Sequence, residues 1–525
     1  MAKPNLGMVF PATFGTVPLP RSSERMMLVS RTRHSAFRRV RVPDFFRSHG
    51  IAIPVVVGLC LGAAGTLLRA QANPTSATNP FYGSLTVQPV SDVPLQLSLD
   101  DAVRRGLENN LGLIEAENAE KAIQSQKLQA LQQFLPTITL TADSGFYQHN
   151  LAAQGFGPGV IAGFAKLFPG GISPGSFSFI TRDTLTEGQL HFKQILFSGP
   201  VIAGWRAAGA ATRASHFAKM SARGEVVQQV ASAYLHAIAA ASEVENAKAL
   251  EQADKVLLDH AQAEHEAGTA SNLDELRARV QLQAQQQTLI AAHASFEKDV
   301  ILLKREIGLD SGQNVVLTDR APYGELATET PEQVRVTAYK NRQDYQNLQN
   351  QLVELRAVHS AYRSQRLPTL SFSGNYGITD VGGVGSHGTF AAIGTLSVPV
   401  FREASLRGNV DAARAQVDAA NAQLTDLRSR IDQQVRSALL DVDASTRLVG
   451  VARSNVDLAS RALSDETDRV NAGVDDNLPL VTAQATLANA QTNLVESLYQ
   501  CNLSKLALAR AAGVLEQQYR AYLGR

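Results

Sequence analysis

Two segments of the chain alternate apolar and polar residues, and each begins just after a proline. Apolar side chains take alternate positions after Pro136 and again after Pro368, and a second alternating segment follows each of them, near residues 185–197 and 389–401. Strict alternation brings the apolar side chains to one face of a β-strand. The pattern therefore predicts two β-hairpins, apolar on one face and polar on the other, which is typical of membrane β-barrels. Half-buried hairpins on a soluble core have the same pattern and are the alternative.

Helix-forming residues fill the segment after each hairpin. Between Pro200 and Ala267, and between Glu403 and Ala472, no further proline interrupts the chain. A helix of this length is a rod of roughly 100 Å. Each rod ends at a glycine and is followed by a returning helix of about 37 residues, and a helix of about 36 residues precedes each hairpin. We therefore expect two half-length helices laid end to end beside each long helix.

The order of these elements occurs twice. The segment 134–140 recurs as 366–372, an offset of 232 residues, and the segment 267–273 recurs as 472–478, an offset of 205. A repeat this long indicates a duplicated architecture rather than a solenoid, whose units have roughly 20 to 50 residues. The offset falls because the loop between the two strands of the hairpin is longer in the first copy.

The N-terminal region differs from the rest of the chain. Residues 1–50 are rich in Lys and Arg, residues 51–68 are apolar, and an Ala-Gln-Ala sequence ends at Ala72. This order predicts a secretory signal that is cleaved after Ala72. A transmembrane anchor is the alternative, and the long leader is compatible with translation from Met26 or Met27. The chain then divides into a leader and signal peptide (1–72), an extended lead-in (73–96), a first repeat (97–309), a linker (310–330), a second repeat (331–515) and a C-terminal tail (516–525).

Composition and charge exclude several classes of function. The leader holds ten of the 49 basic and two of the 48 acidic residues, so 39 basic and 46 acidic residues remain, and nothing indicates a nucleic-acid partner. Only 6% of the residues are aromatic, which is typical of long packed helices and not of a bulky enzyme core. One cysteine, Cys501, remains after the leader, so we expect no intrachain disulfide.

The sequence offers little for catalysis or cofactor binding. His260, Glu264 and His265 come closest to a metal-ligand grouping, but His260 and His265 lie about 140° apart around a helix. We interpret them as a solvated helix face. The chain has no glycine-rich phosphate loop between a strand and a helix, and no serine elbow. We therefore predict no enzyme activity, no metal site and no cofactor.

Four amphipathic strands per chain imply an oligomer. An open sheet edge in lipid leaves backbone groups unpaired, so a sheet that crosses a membrane must close. The smallest common membrane barrels have about eight strands. Two chains would supply eight strands around a filled lumen, and three chains would supply about twelve around a lumen wide enough for a channel.

The doubled order of elements resembles that of the TolC-type outer-membrane efflux proteins across residues 97–515. Its most specific marks are Phe197-Ser198-Gly199, the poorer counterpart that begins at Phe401, and the Gly-x-x-x-Asn-Leu turns that begin at Gly268 and Gly473. The resemblance implies a mixed α/β, mainly α fold. It implies a homotrimer that combines a twelve-stranded transmembrane β-barrel in the outer-membrane lipid with a tunnel of long antiparallel coiled-coil helices in the periplasm.

The same resemblance implies a function. The protein would be the passive exit duct of a tripartite efflux or type I secretion system, with a periplasmic adaptor and an inner-membrane pump as partners. A structural trimeric coiled coil of the cell envelope is the alternative, although it would show sustained heptads and no alternating strands. A passive porin would be mostly strand, whereas this chain is mostly helix-forming.

The family places its gate and its partner contacts at the periplasmic helix turns. By that resemblance, Asp274 is an entrance acid. The matching position of the second copy is Pro479, which departs from the family pattern, and Asp475 and Asp476 lie within the second turn instead. A threefold ring of these three acids would favour cations. The alternative is an ordinary helix start, where Asp and Asn are favoured as caps. The residues expected to contact the adaptor are Gly268, Asn272, Leu273, Gly473, Asn477 and Leu478.

Overall fold

The structure, a computed structural model, describes residues 79–524 apart from several short segments. The predicted leader and signal peptide (1–72) lies outside the described residues. So do the first six residues of the predicted lead-in. The other segments outside the description are 87–88, 151–159, 161–162, 164–179, 269–270, 320–322, 325, 327–329, 384 and 473–476.

The first copy consists of four helices, two long strands and one short strand among its described residues. Its long helix has 68 residues, which confirms the predicted rod. A short 3₁₀ helix at Pro80–Tyr82 precedes the copy. The elements are β1 (Leu95–Leu97), α1 (Leu99–Asn109), α2 (Leu111–Gln132), β2 (Thr137–Asn150), β3 (Ile180–Phe197), α3 (Gly199–Glu266) and α4 (Asn272–Ile307).

The second copy repeats this order and adds a helix at its end. Its long helix has 69 residues, again as predicted. The elements are β4 (Val315–Leu317), α5 (Pro331–Asn341), α6 (Gln343–Ser364), β5 (Thr369–Val381), β6 (Ser386–Ser397), α7 (Glu403–Asn471), α8 (Asn477–Ala511) and α9 (Leu515–Tyr522). β6 ends at Ser397, before the predicted end at Phe401, because Pro399 has no N–H to donate to a sheet.

The four long strands form one antiparallel sheet in the order β2-β3-β5-β6. Its register places apolar residues opposite apolar residues. Leu140 pairs with Leu190, Leu190 with Tyr376, and Tyr376 with Phe390. The side chains of this row stay open to the surroundings, with Phe390 80%, Leu140 75% and Tyr376 71% exposed. The predicted hairpins are therefore confirmed, and their apolar face is not covered by the rest of the chain.

The helix before each hairpin is broken, which the sequence analysis did not predict. Asn110 has an extended backbone between α1 and α2, with ψ at 129°. Its side chain accepts a hydrogen bond from the N–H of Gly112 at 2.9 Å and donates one to the carbonyl of Phe81 at 2.8 Å. In the second copy Arg342 is extended in the same way, and its guanidinium donates two hydrogen bonds to Asp344. The second helix of each pair therefore begins at a side-chain cap from Asn110 in the first copy and at an ion pair between Arg342 and Asp344 in the second copy.

Each break is matched by the end of a returning helix. Gly308 ends α4 with φ at 76°, and Gly513 follows α8 with φ at 77°. A Cβ at Gly308 would lie 2.5 Å from the carbonyl oxygen of Leu85, and one at Gly513 would lie 2.7 Å from the nitrogen of Arg342. Glycine is required at both places, because the backbone is left-handed and another backbone approaches it closely.

The linker and the C-terminal tail, for which the sequence predicted no helix or strand, both contribute to the fold. β1 and β4 form a parallel two-stranded sheet. The hydroxyl of Tyr234 on α3 donates to Leu97 in β1 at 2.8 Å. α9 buries Leu515 and Tyr522, and the hydroxyl of Tyr519 donates to Asp100 at 2.6 Å. Residues 516–522 are therefore part of the packed structure and not a free tail.

Many of the buried hydrophobic residues in the described part of the chain belong to two clusters. The larger one surrounds the middle of α3 and includes Tyr234, Leu303 and Ile431. The smaller one lies where the long helices turn, and it consists of Leu257, Ala261, Ala278 and Leu480. Within the described part of the chain, no helix combines the length and the apolar character that a membrane crossing requires.

Candidate gate and docking turns

The first turn is closed by a left-handed glycine. α3 ends at Glu266 and Ala267 caps it; Gly268 follows with φ at 75° and donates its N–H to the carbonyl of His265 at 3.0 Å. Apart from its chain neighbours, no described residue has a heavy atom within 4 Å of the position that a Cβ at Gly268 would take. The turn thus needs the backbone freedom of glycine and leaves open space around it.

Asp274 caps the helix that starts after this turn. Its Oδ2 accepts hydrogen bonds from the hydroxyl of Ser271 at 2.7 Å and from the N–H of Ser271 at 3.3 Å. Its Oδ1 lies 3.4 Å from the guanidinium of Arg277, and its side chain is 23% exposed. This geometry is that of a capping box, which stabilises the first turn of a helix. The structure therefore shows Asp274 in the alternative role, as a cap at the start of a helix. Its role at the entrance stays a prediction.

An apolar stripe leads away from the turn along α4. Leu273, Leu276 and Val280 are 54%, 46% and 65% exposed. Their spacing places them on one side of the helix. Asn272 is exposed at the start of the same helix. The predicted contact residues Asn272 and Leu273 are therefore open to a partner in the single chain.

The structure describes the helices on either side of the second turn but not the turn itself. Gly473, Asp475 and Asp476 lie outside the described residues, as do the side chains of Asn477 and Leu478. Leu480 on α8 belongs to the same buried cluster as Ala261 on α3 and Ala278 on α4. The start of α8 therefore lies near the start of α4, so the two returning helices begin at the same end.

A buried acid close to the turns was missed from the sequence. Asp254 on α3 is 2% exposed. Burial raises its pKa to about 6, a hydrogen bond with Gln281 opposes that rise, and the charge of Glu251 adds to it. The available signal was its spacing, because Asp254 stands three residues before Leu257 and seven before Ala261, on the apolar side of the helix.

Asp254→Asn is expected to strengthen the helices next to the turns at high pH. The pKa in the folded protein lies above the ordinary value of 3.8, so the folded state favours the neutral acid. The contribution of Asp254 to stability therefore falls as the pH rises from about 4 through about 6, by about 2 to 3 kcal/mol at most. Hydrogen exchange of α3 and α4, corrected for intrinsic rates, should be slower in the variant at pH 8 and equal near pH 4.

Asp259→Asn is the matched control for that measurement, since Asp259 is exposed on the same helix. It should leave the exchange of these helices unchanged at both pH values. Equal effects of the two substitutions would contradict the assignment of the pH dependence to Asp254.

The histidine grouping on α3 is a surface feature. Nδ1 of His260 lies 3.5 Å from Glu264, and the side chain of His260 is 51% exposed. The described residues hold no group of three or more His, Cys, Asp or Glu side chains with the geometry for a metal ion.

Comparison with known proteins gives the chain its family. It matches the outer membrane efflux protein family over residues 102–309 and 334–514, which lie within the two copies. It is 27% identical over 256 residues to the solvent efflux pump outer membrane protein SrpC of Pseudomonas putida, covering 47% of this chain and 53% of SrpC. It is 25% identical over 167 residues to the outer membrane protein TolC of Escherichia coli, covering 29% of this chain and 34% of TolC.

Solved structures have the same fold at low sequence identity. The Campylobacter jejuni CmeC outer membrane channel has a TM-score of 0.67 at 16% identity, covering 85% of this chain and 95% of CmeC. The outer membrane protein VceC from Vibrio cholerae has a TM-score of 0.65 at 17% identity, covering 79% of this chain and 96% of VceC. The curated matches span about half or less of those relatives' length, 53% for SrpC and 34% for TolC. The family match covers most of this chain, and the chain belongs to the outer membrane efflux protein family.

Proposed function

We propose that the protein is the outer-membrane channel of a tripartite efflux or type I secretion system and that it conducts substrates passively to the exterior. The observation that carries this proposal is the four-stranded sheet with an exposed apolar face. Exposed side chains such as Leu140 and Phe390 would be unfavourable in water and favourable in lipid. A structural coiled-coil protein would not require a sheet with an exposed apolar face.

The open edges of the sheet support a trimer. Among the described residues, β2 pairs only with β3 and β6 only with β5. In lipid, these edges must pair, and the partners that fit are the β6 and β2 edges of further copies. Three copies give a barrel of about twelve strands, which encloses a lumen. The long helices, roughly 100 Å each, then extend the lumen away from the membrane as a tunnel.

The helix turns at the far end are the proposed docking site for a periplasmic adaptor. Gly268, Asn272 and Leu273 form an open turn with an apolar start. α8 begins at the same end as α4, and we propose Gly473, Asn477 and Leu478 as the counterparts in the second copy. The adaptor would connect the duct to an inner-membrane pump, and the energy for transport would come from that pump. Asp274, Asp475 and Asp476 would then ring the entrance and favour cations.

The docking site and the trimer are tested together. Native mass spectrometry of the detergent-solubilised protein should give the mass of three chains. A photo-crosslinking amino acid at Leu273 should capture a co-expressed adaptor, whereas one at Ile301, at 48% exposure and farther along the same helix, should not. A monomer, or equal capture from both positions, would contradict the proposal.

The gate role of Asp274 is separable from its capping role. Asp274→Asn keeps an oxygen that accepts the hydrogen bonds of Ser271 and removes the charge, whereas Asp274→Ala removes both. We expect both variants to lower the cation selectivity of the pore, and only Asp274→Ala to increase hydrogen exchange in the first turn of α4, with a loss of about 1 kcal/mol. If selectivity falls in Asp274→Ala alone, Asp274 is a cap and not part of a gate.

A further inference from the structure

A basic groove lies between α6 and α7, away from the turns. It has a volume of about 410 Å³. Its positive side chains come from both helices, and two valines form its apolar part. The lining residues are Arg356, His359 and Arg363 on α6, and Val410, Asp411, Arg414, Val417 and Asp418 on α7.

The cations of this groove are only partly neutralised. Among the described residues, neither His359 nor Arg363 has a carboxylate within ion-pair distance. Arg414 lies 4.0 Å from Asp418, the outer limit for an ion pair, and Arg356 donates at 3.5 Å to the amide oxygen of Asn421. Three guanidinium groups and an imidazole therefore face a groove that holds two carboxylates.

The groove begins close to the sheet. Arg363 precedes the last residue of α6, and β5 begins at Thr369. On the other wall, the residues before α7 are strongly apolar and open, with Val400 92% and Phe401 94% exposed. Val398 and Val400 continue the alternate apolar positions of β6 beyond the end of the strand. Arg363 thus lies a few residues from the sheet, and the rest of the groove extends along α6 and α7 away from it.

We propose that this groove binds the phosphate headgroup of an anionic phospholipid in the periplasmic leaflet of the outer membrane. The proposal rests on the proposed function, because it needs the sheet to lie in that membrane. Guanidinium groups bind phosphate oxygens through paired, charge-assisted hydrogen bonds. Basic pockets just outside the apolar band of a membrane protein are suited to anionic headgroups. Val410, one turn nearer the start of α7 than Arg414, would contact the glycerol, and the acyl chains would extend toward Val400 and Phe401. A lipid held there fixes the depth of the sheet in the bilayer.

Native mass spectrometry of the purified protein with added lipid tests this proposal. Phosphatidylglycerol should bind at least about tenfold more tightly than phosphatidylcholine, and the double variant Arg363→Gln/Arg414→Gln should lose that preference. The matched control is Arg447→Gln/Arg461→Gln. It removes the same charge from two exposed arginines on α7. Each of them pairs with an aspartate four residues earlier, whereas Arg414 pairs with Asp418 four residues later. The control should keep the preference.

Two results would overturn the proposal. One is an unchanged preference in the groove variant. The other is displacement of phosphatidylglycerol by millimolar inorganic phosphate from the wild type, which would make the groove a site for soluble anions. The measurement needs no conducting pore, so a failure of lipid binding and a failure of the channel function are separate outcomes. Retained heat-resistant oligomers in the variant would show that it still folds.

Discussion

Leu140→Arg is expected to prevent the formation of a stable membrane-embedded oligomer. Leu140 is 75% exposed in the apolar row that continues through Leu190 and Tyr376 to Phe390. An arginine on the lipid face of a barrel costs about 2 to 4 kcal/mol near the middle of the bilayer. In a trimer this cost occurs three times, which is comparable to the whole stability of a typical folded protein.

Thr139→Arg is the control for this substitution. Thr139 is the preceding residue of β2, so its side chain points to the other face of the sheet, where it lies opposite His191. The heat-resistant oligomer in outer-membrane fractions, followed on semi-native gels, should be lost with Leu140→Arg and retained with Thr139→Arg. Equal loss from both positions would mean that the apolar face is not the lipid-facing one.

Gly308→Ala is expected to destabilise the protein by about 2 to 5 kcal/mol in total. A left-handed backbone costs a residue with a Cβ about 1 to 2 kcal/mol. The new Cβ would also lie 2.5 Å from the carbonyl oxygen of Leu85 and 2.9 Å from Cβ of Asn109, so the backbone must move. Such overpacking typically costs a further 1 to 3 kcal/mol or so.

Gly268→Ala separates these two contributions. Gly268 has nearly the same φ, 75° against 76° for Gly308, but nothing within 4 Å of the position of its Cβ. It should therefore show only the backbone cost, about 1 to 2 kcal/mol. Thermal dissociation of the purified oligomer should fall far more in Gly308→Ala than in Gly268→Ala. Similar shifts in the two variants would show that the junction at Gly308 is not tightly packed.

The long elements were predictable because their signals are long and local. The rods that became α3 and α7 rest on nearly seventy residues with no proline beyond the first turn, and the strands rest on strict alternation. The helix break at Asn110 carries no such signal. It depends on the carbonyl of Phe81, about thirty residues away, which accepts from the side chain of Asn110. Tertiary contacts of this kind decide where the half-length helices stop.

The candidate site also combines a feature that the sequence predicts with features that depend on tertiary packing. The cap at Asp274 follows from its place three residues after Ser271, a spacing that sequence alone shows. The burial of Asp254 has only a weak signal in the sequence, its spacing to Leu257 and Ala261, because burial requires other helices to pack around α3. The groove between α6 and α7 was likewise invisible, since Arg363 and Arg414 are distant in sequence and meet only when the two helices lie side by side.

Single-channel conductance in planar bilayers tests the central claim most directly. The purified wild-type oligomer should form a small cation-selective pore. Asp475→Ala/Asp476→Ala, which removes acids from the second turn, should enlarge that conductance or reduce its selectivity. An unaffected pore would leave the duct in place and remove these two acids from the gate. A correctly folded trimer that forms no pore would contradict the account as a whole and would favour a structural coiled-coil protein of the envelope.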